Sequence, residues 1–186
     1  MKTTTVFALA AACALACEPW ARAPEDPARV VSAADGVDVT LPHWFEAHFP
    51  GPVRDSTVAL STGQGDLPFR TFVSNLPTGT ARVQVTQGPN GWSQPKERVL
   101  LDMIKATRSD KQLLAGKTID DRGYVGADMK LRVAPRSADN PSDYTLDCRV
   151  RQFVDETKMV NGVFCYDAAR PDPAFERAAD SFRALD

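Results

Sequence analysis

Residues 144–166 read YTLDCRVRQFVDETKMVNGVFCY, and this stretch decides the fold. Tyr144, Leu146, Cys148, Val150 and Phe153 mark one apolar segment, and Met159, Val160, Val163 and Phe164 mark a second. Asp155-Glu156-Thr157-Lys158 lies between them as a polar turn, so the stretch predicts an antiparallel hairpin. A turn centred between Glu156 and Thr157 sets Cys148 opposite Cys165. Facing Cβ atoms lie about 4.5–5.5 Å apart, slightly wide of the disulfide mean of about 3.8 Å. A twisted, non-hydrogen-bonded pair closes that gap, and a cross-strand disulfide is predicted. The competing reading is two small, buried apolar thiols.

Outward from the hairpin the pattern repeats. Residues 112–119 and 124–134 read as two more strands around Asp120-Asp121-Arg122-Gly123. Before them Val99, Leu100, Met103, Ile104 and Thr107 share one helical face, and Pro95 suits a first helical position, which predicts a helix over 95–109. Farther upstream, Val37, Val39 and Leu41 alternate with polar neighbours, and Trp44 to Phe49 is a short apolar segment closed by Pro50-Gly51-Pro52. Val58 and Leu60 pair with Phe69 to Val73 across Gly63-Gln64-Gly65-Asp66, and Arg82 to Gln87 alternates again. Downstream, Asp172 as N-cap and Pro173 behind it start a last helix carrying Phe175, Ala178, Ala179, Phe182 and Leu185. The order of strands, helix, four more strands and helix predicts an α+β fold, a mostly antiparallel sheet flanked by two helices.

The amino terminus reads as an address. Met1-Lys2 is a short positive region, and Val6 to Ala16 is apolar but too short to span a bilayer, which takes about 20 residues. It fits a secretory signal peptide over residues 1–16, cut after Ala14-Leu15-Ala16. The four residues Ala14-Leu15-Ala16-Cys17 resemble a bacterial lipobox, departing from it at Ala14, where Leu is usual. The resemblance implies lipidation of Cys17 and a stable membrane anchor, because several acyl chains hold where one does not. The alternative is ordinary signal cleavage, leaving a secreted or periplasmic soluble protein that starts at Cys17. Glu18 in place of Asp favours the outer membrane of the cell envelope. Residues 17–34, rich in Pro, Glu, Asp, Ala and Arg, read as a flexible tether, and residues 35–186 as one domain. Trp20 either lies at the membrane interface or packs on the domain. Cys148 and Cys165 then remain as an even pair for an oxidising compartment.

Several pieces in order resemble the PsbP-like α/β/α sandwich, a superfamily that includes DcrB-type bacterial lipoproteins. They are His48-Phe49-Pro50-Gly51-Pro52, the helix at 95–109, Gly116-Lys117, Gly123 and Gly126, the Arg149-Val150-Arg151 strand, and the closing Phe175 and Ser181-Phe182. Trp44 and Asn140-Pro141-Ser142 depart from that pattern. The resemblance implies a sandwich fold and an accessory, assembly or binding role, with a protein partner it does not name.

Composition narrows the rest. Lys and Arg number 22 against 24 Asp and Glu, a balance that supplies no basic surface for nucleic acid. His43 and His48, on a strand, point to opposite faces and lack a third ligand, so no metal is expected there. Asp120, Asp121 and Asp128 lack the spacing of a calcium loop. Gly63-Gln64-Gly65 lacks the Lys-Ser/Thr of a phosphate loop, and Ser56, Ser61, Ser74 and Ser93 sit in no nucleophile elbow. Asn140-Pro141-Ser142 cannot accept a glycan because Pro stands in the middle. No cofactor motif or catalytic residue is found. The expectation is a non-enzymatic, lipid-anchored envelope protein; the alternatives are a small-ligand carrier, or an enzyme using carboxylates from separate strands.

Overall fold

The computed structural model describes residues 23–62, 65–88, 91–121, 123–134 and 145–186. Their strands are β1 (Arg29–Ala33), β2 (Gly36–Leu41), β3 (Phe45–Phe49), β4 (Arg54–Thr62), β5 (Gly65–Leu76), β6 (Gly79–Gln87), β7 (Gln112–Asp121), β8 (Tyr124–Val133), β9 (Leu146–Val154), β10 (Lys158–Asp167) and β11 (Arg183–Ala184). Two helices interrupt them, α1 (Lys96–Arg108) and α2 (Pro173–Ser181). One sheet has seven strands in the order β4-β5-β6-β10-β9-β8-β7, and a second has four in the order β1-β2-β3-β11. Every described pairing is antiparallel.

This corrects the α+β expectation. The protein is a β-rich sandwich of two antiparallel sheets with two short helices, rather than one sheet flanked by helices in PsbP-like layers. The reason is physical: period-two alternation marks a strand but says nothing about which sheet it joins. The entry strands β1–β3 and the terminal β11 form their own sheet, which shares one face of the large sheet with α2. Within the expected 17–34 span, Arg29–Ala33 pair with β2, and Pro24 is buried.

Two cores result. The first lies between the sheets and is aromatic: Phe45, Phe49, Phe72, Phe153, Phe164, Phe175 and Phe182 are all buried there with Trp44 and Tyr124. Ring centroids of Phe45 and Phe72 are 5.2 Å apart and those of Phe153 and Phe182 are 5.6 Å apart, in edge-to-face arrangements that rings prefer. Gly162 makes room for this packing, since a Cβ there would come within 2.5 Å of the Phe182 ring. The second core lies under α1, where Val99, Leu100 and Met103 meet Met129, Leu131, Val150, Val154 and Met159.

Local chemistry sets the boundaries. The hairpin turn is closed by Asp155, whose Oδ1 accepts from the amides of Thr157 (2.7 Å) and Lys158 (2.6 Å). Asp172 caps α2 by accepting from the Ala174 amide at 3.0 Å, with Pro173 behind it. The helix stops at Ser181, so Phe182 is buried beyond its end rather than within it.

Candidate functional site

The densest group of charges joins β8, β9 and α2. Asp128 is buried, and Arg149 holds both its oxygens through Nε at 3.0 Å and Nη2 at 2.8 Å. Arg149 Nη1 reaches Asp180, and lies 3.6 Å from Glu176. Beside it Arg151 donates to the carbonyls of Ala179, at 3.0 Å, and of Phe182. These carbonyls end α2, where a cation complements the exposed C=O groups. Burial pushes the Asp128 carboxyl up, but the Arg149 bond and the charges of Arg149, Arg151 and Lys117 outweigh it and hold it below the usual carboxylate range. Asp147 is lowered chiefly by its bond to Arg132, and Asp167 by the Ala169 amide and Arg170. A carboxylate lowered in this way stays ionised near neutrality, the opposite of what a general acid requires. The arrangement fastens α2 to the sheet.

A second group contains the residue types of a hydrolase relay without its geometry. His48 lies on the outward face of β3, with Nδ1 2.8 Å from Asp38 and Nε2 3.5 Å from Asp35. Ser181 Oγ accepts from the backbone amide of His48 at 2.8 Å and donates to the Ala178 carbonyl at 2.7 Å. The hydroxyl therefore bonds the His48 main chain, while both ring nitrogens face carboxylates, so His48 does not act as a base on Ser181. His43 sits in the turn before β3 with φ 63°, its Nδ1 2.9 Å from the Asp186 carbonyl. The two imidazoles do not converge, and the described residues contain no group of three His, Cys, Asp or Glu able to hold a metal ion.

The third group is buried under the α1 side of the large sheet. Cys148 and Cys165 face each other in the β9–β10 register, with Cα atoms 4.1 Å apart and sulfurs bonded at 2.10 Å. That Cα spacing is near the ~4.5 Å of a non-hydrogen-bonded pair. Four residues along the hairpin, a polar row crosses the same face: Thr71 opposite Gln84, Gln84 opposite Asn161, Asn161 opposite Gln152. Gln152 Nε2 donates to Thr107 of α1 at 2.9 Å and to Asn161 Oδ1 at 3.3 Å. Its Oε1 is buried without a hydrogen-bond partner among the described residues.

Of the residues singled out from sequence, the structure brings together Cys148 and Cys165. It separates Asp128, on the inner part of the sheet, from Asp120 and Asp121 on the exposed edge strand β7. Ser74 is buried, and Ser56 lies on exposed β4. Cys17, the signal peptide, Trp20, Gly63-Gln64 and Asn140-Pro141-Ser142 lie outside the described residues. Sequence reasoning missed the polar row. Its signal was available: Gln152 and Asn161 each take the alternate position between apolar neighbours, Val150 and Val154 for one, Met159 and Val163 for the other. It also missed the capping role of Arg151, which depends on a helix 28 residues downstream. No described helix is long and apolar enough to cross a membrane. Compared with protein families, curated proteins and solved structures, this chain matches none.

Proposed function

We propose that this chain is an exported, lipid-anchored envelope protein whose β-rich domain serves as a binding or assembly factor. The observation that carries the reading is the Cys148–Cys165 disulfide, because such bonds persist in oxidising compartments and are rare in the cytosol. It supports export independently of the amino-terminal address. The lipid on Cys17 is the membrane partner in this reading, and a second, protein partner is met at the periplasmic face of the outer membrane. Support for a role without chemistry comes from the charged groups: Asp128 is committed to Arg149, and His48 to Asp35 and Asp38. The test is the mass of the native amino-terminal peptide together with fractionation. Acylated Cys17, and release of a Cys17→Ala protein from the membrane fraction, are expected. An unmodified thiol on a freely soluble native protein overturns the anchor.

One observation favours a second reading, a carrier of a small polar ligand. The Gln152 carbonyl oxygen is an acceptor inside the protein with no described partner, and buried polar atoms are normally satisfied. Native mass spectrometry of protein from its own compartment checks it: a stoichiometric small molecule that leaves on Gln152→Met supports the carrier, and bare protein counts against it.

A further inference from the structure

Arg70 lies on β5, and one guanidinium serves two different parts of the chain. Nε and Nη2 hold the carboxylate of Asp55 on β4, at 3.1 Å and 2.7 Å. Nη1 donates to the backbone carbonyls of Pro24, at 3.2 Å, and of Asp26. The group also lies 5.1 Å over the ring of Phe72, where a cation is favoured. Arg70 is only 13% exposed. Pro24 is buried beside it, and Ala28 packs on the aromatic core before Arg29 opens β1. Asp55 thus aims a rigid fork whose free arm grips two main-chain oxygens, and this grip does not depend on the side chains of the gripped segment.

The grip has a consequence for reach. From Cys17 to the last residue before β1 there are 12 residues, and from Cys17 to the last residue before Pro24 there are seven. Fully extended, those lengths span at most about 43 Å and about 25 Å. We propose that Arg70 is a clamp that sets the length of the membrane tether, holding its end of the domain within about 25 Å of the bilayer surface. The clamp is a property of the described residues, while its effect on reach rests on the lipid anchor proposed at Cys17. So held, the domain meets partners at the membrane surface and not those standing farther off.

The experiment uses the full native chain, with and without its lipid, and in vesicles of phosphatidylethanolamine and phosphatidylglycerol. Cleavage after Glu25 by a glutamate-specific protease reads the clamp, and neutron reflectivity reads the distance of the domain from the bilayer. Arg70→Ala is expected to speed cleavage at least about ten-fold in both forms, and to move the protein layer outward by no more than about 18 Å, the length of the five freed residues. Asp55→Asn, which removes the carboxylate that aims the fork but keeps Arg70 over Phe72, is expected to act in the same direction with a smaller effect. It stands in if Arg70→Ala does not fold. Equal cleavage of wild type and the folded variants overturns the clamp. Faster cleavage with an unmoved layer overturns its control of reach. An unacylated Cys17, seen in the mass of the amino-terminal peptide, overturns the tether role and the anchor together but leaves the cleavage comparison intact.

Discussion

The two faces of the seven-stranded sheet place their polar groups differently. Between the sheets, seven phenylalanines close an aromatic core, and the Arg149 ion pairs lie at the same face beside α2. Under α1, the sheet carries a disulfide and a row of amides and hydroxyls at one shared register. The first face stabilises through area, at roughly 1.5–3 kcal/mol per fully buried large apolar side chain. The second specifies. Side chains alternate between faces, so a one-residue slip of β10 would carry Asn161 among the aromatic rings and Val160 or Gly162 into the polar row. Amides moved there lose their partners, and an unsatisfied buried polar group costs about 1–3 kcal/mol. The polar row and the disulfide thus penalise wrong registers on the face where apolar packing alone would discriminate least.

That contrast is open to experiment. The largest loss is expected at Phe182, which touches Phe45, Phe153 and Phe164: Phe182→Ala should lower unfolding free energy by about 3–5 kcal/mol in urea titrations. If the loss is no larger than at an exposed site, the aromatic face is not the main source of stability. Asp128→Ala removes the buried carboxylate that holds Arg149 in two bonds, leaving it Asp180 and Glu176, and should cost about 1.5–3 kcal/mol. Its pH dependence is specific. The folded carboxyl lies below its unfolded value, so its contribution is fully present above about pH 4 and is lost as pH falls through the folded pKa. Asp128→Ala should therefore flatten part of the acid-induced loss seen in wild type, and parallel curves would contradict the assignment.

Removing the disulfide by Cys148→Ala with Cys165→Ala should cost about 3 kcal/mol, since the bond closes a loop with a sequence separation of 17. Hydrogen exchange should then show β9 and β10 opening more often, with the aromatic face less affected. The smallest effect belongs to the polar row. Gln152→Met alone should cost about 1–3 kcal/mol by leaving Asn161 and Thr107 unpaired. Replacing Gln152, Asn161 and Thr107 together by apolar residues should cost less than the sum of the single changes. If the triple variant also keeps one set of sharp NMR signals, the row is not needed for register.

Legibility differed by element. The hairpin at 144–166 was readable because its alternation, its Asp155 turn and its two cysteines all pointed to one register. Both helices were readable from their prolines, the Asp172 cap and apolar spacing; α1 begins at Lys96, one residue later than expected, and α2 ends at Ser181, short of the expected Phe182 and Leu185. β1 was hidden because Arg29–Ala33 is exposed along most of its length and carries no apolar face to announce it. β11 was hidden because two residues hold no period, and Arg183 and Ala184 become a strand by pairing with Glu46 and Phe45. The ion pair of Asp128 with Arg149 spans 21 positions and the grip of Arg70 on Asp26 and Pro24 spans 44 and 46, separations at which no local pattern constrains contact.

The chain alone determined most of the extended segments other than β1 and β11, where both helices start, where the hairpin turns and which cysteines meet, because each rests on residues close in sequence or tied by one turn. Only the tertiary structure decided that the strands divide between two sheets, that His48 is bonded away from Ser181, and that the amino-terminal strap is gripped by Arg70. These outcomes depend on which faces bury each other, and burial is settled by the packing of the whole domain.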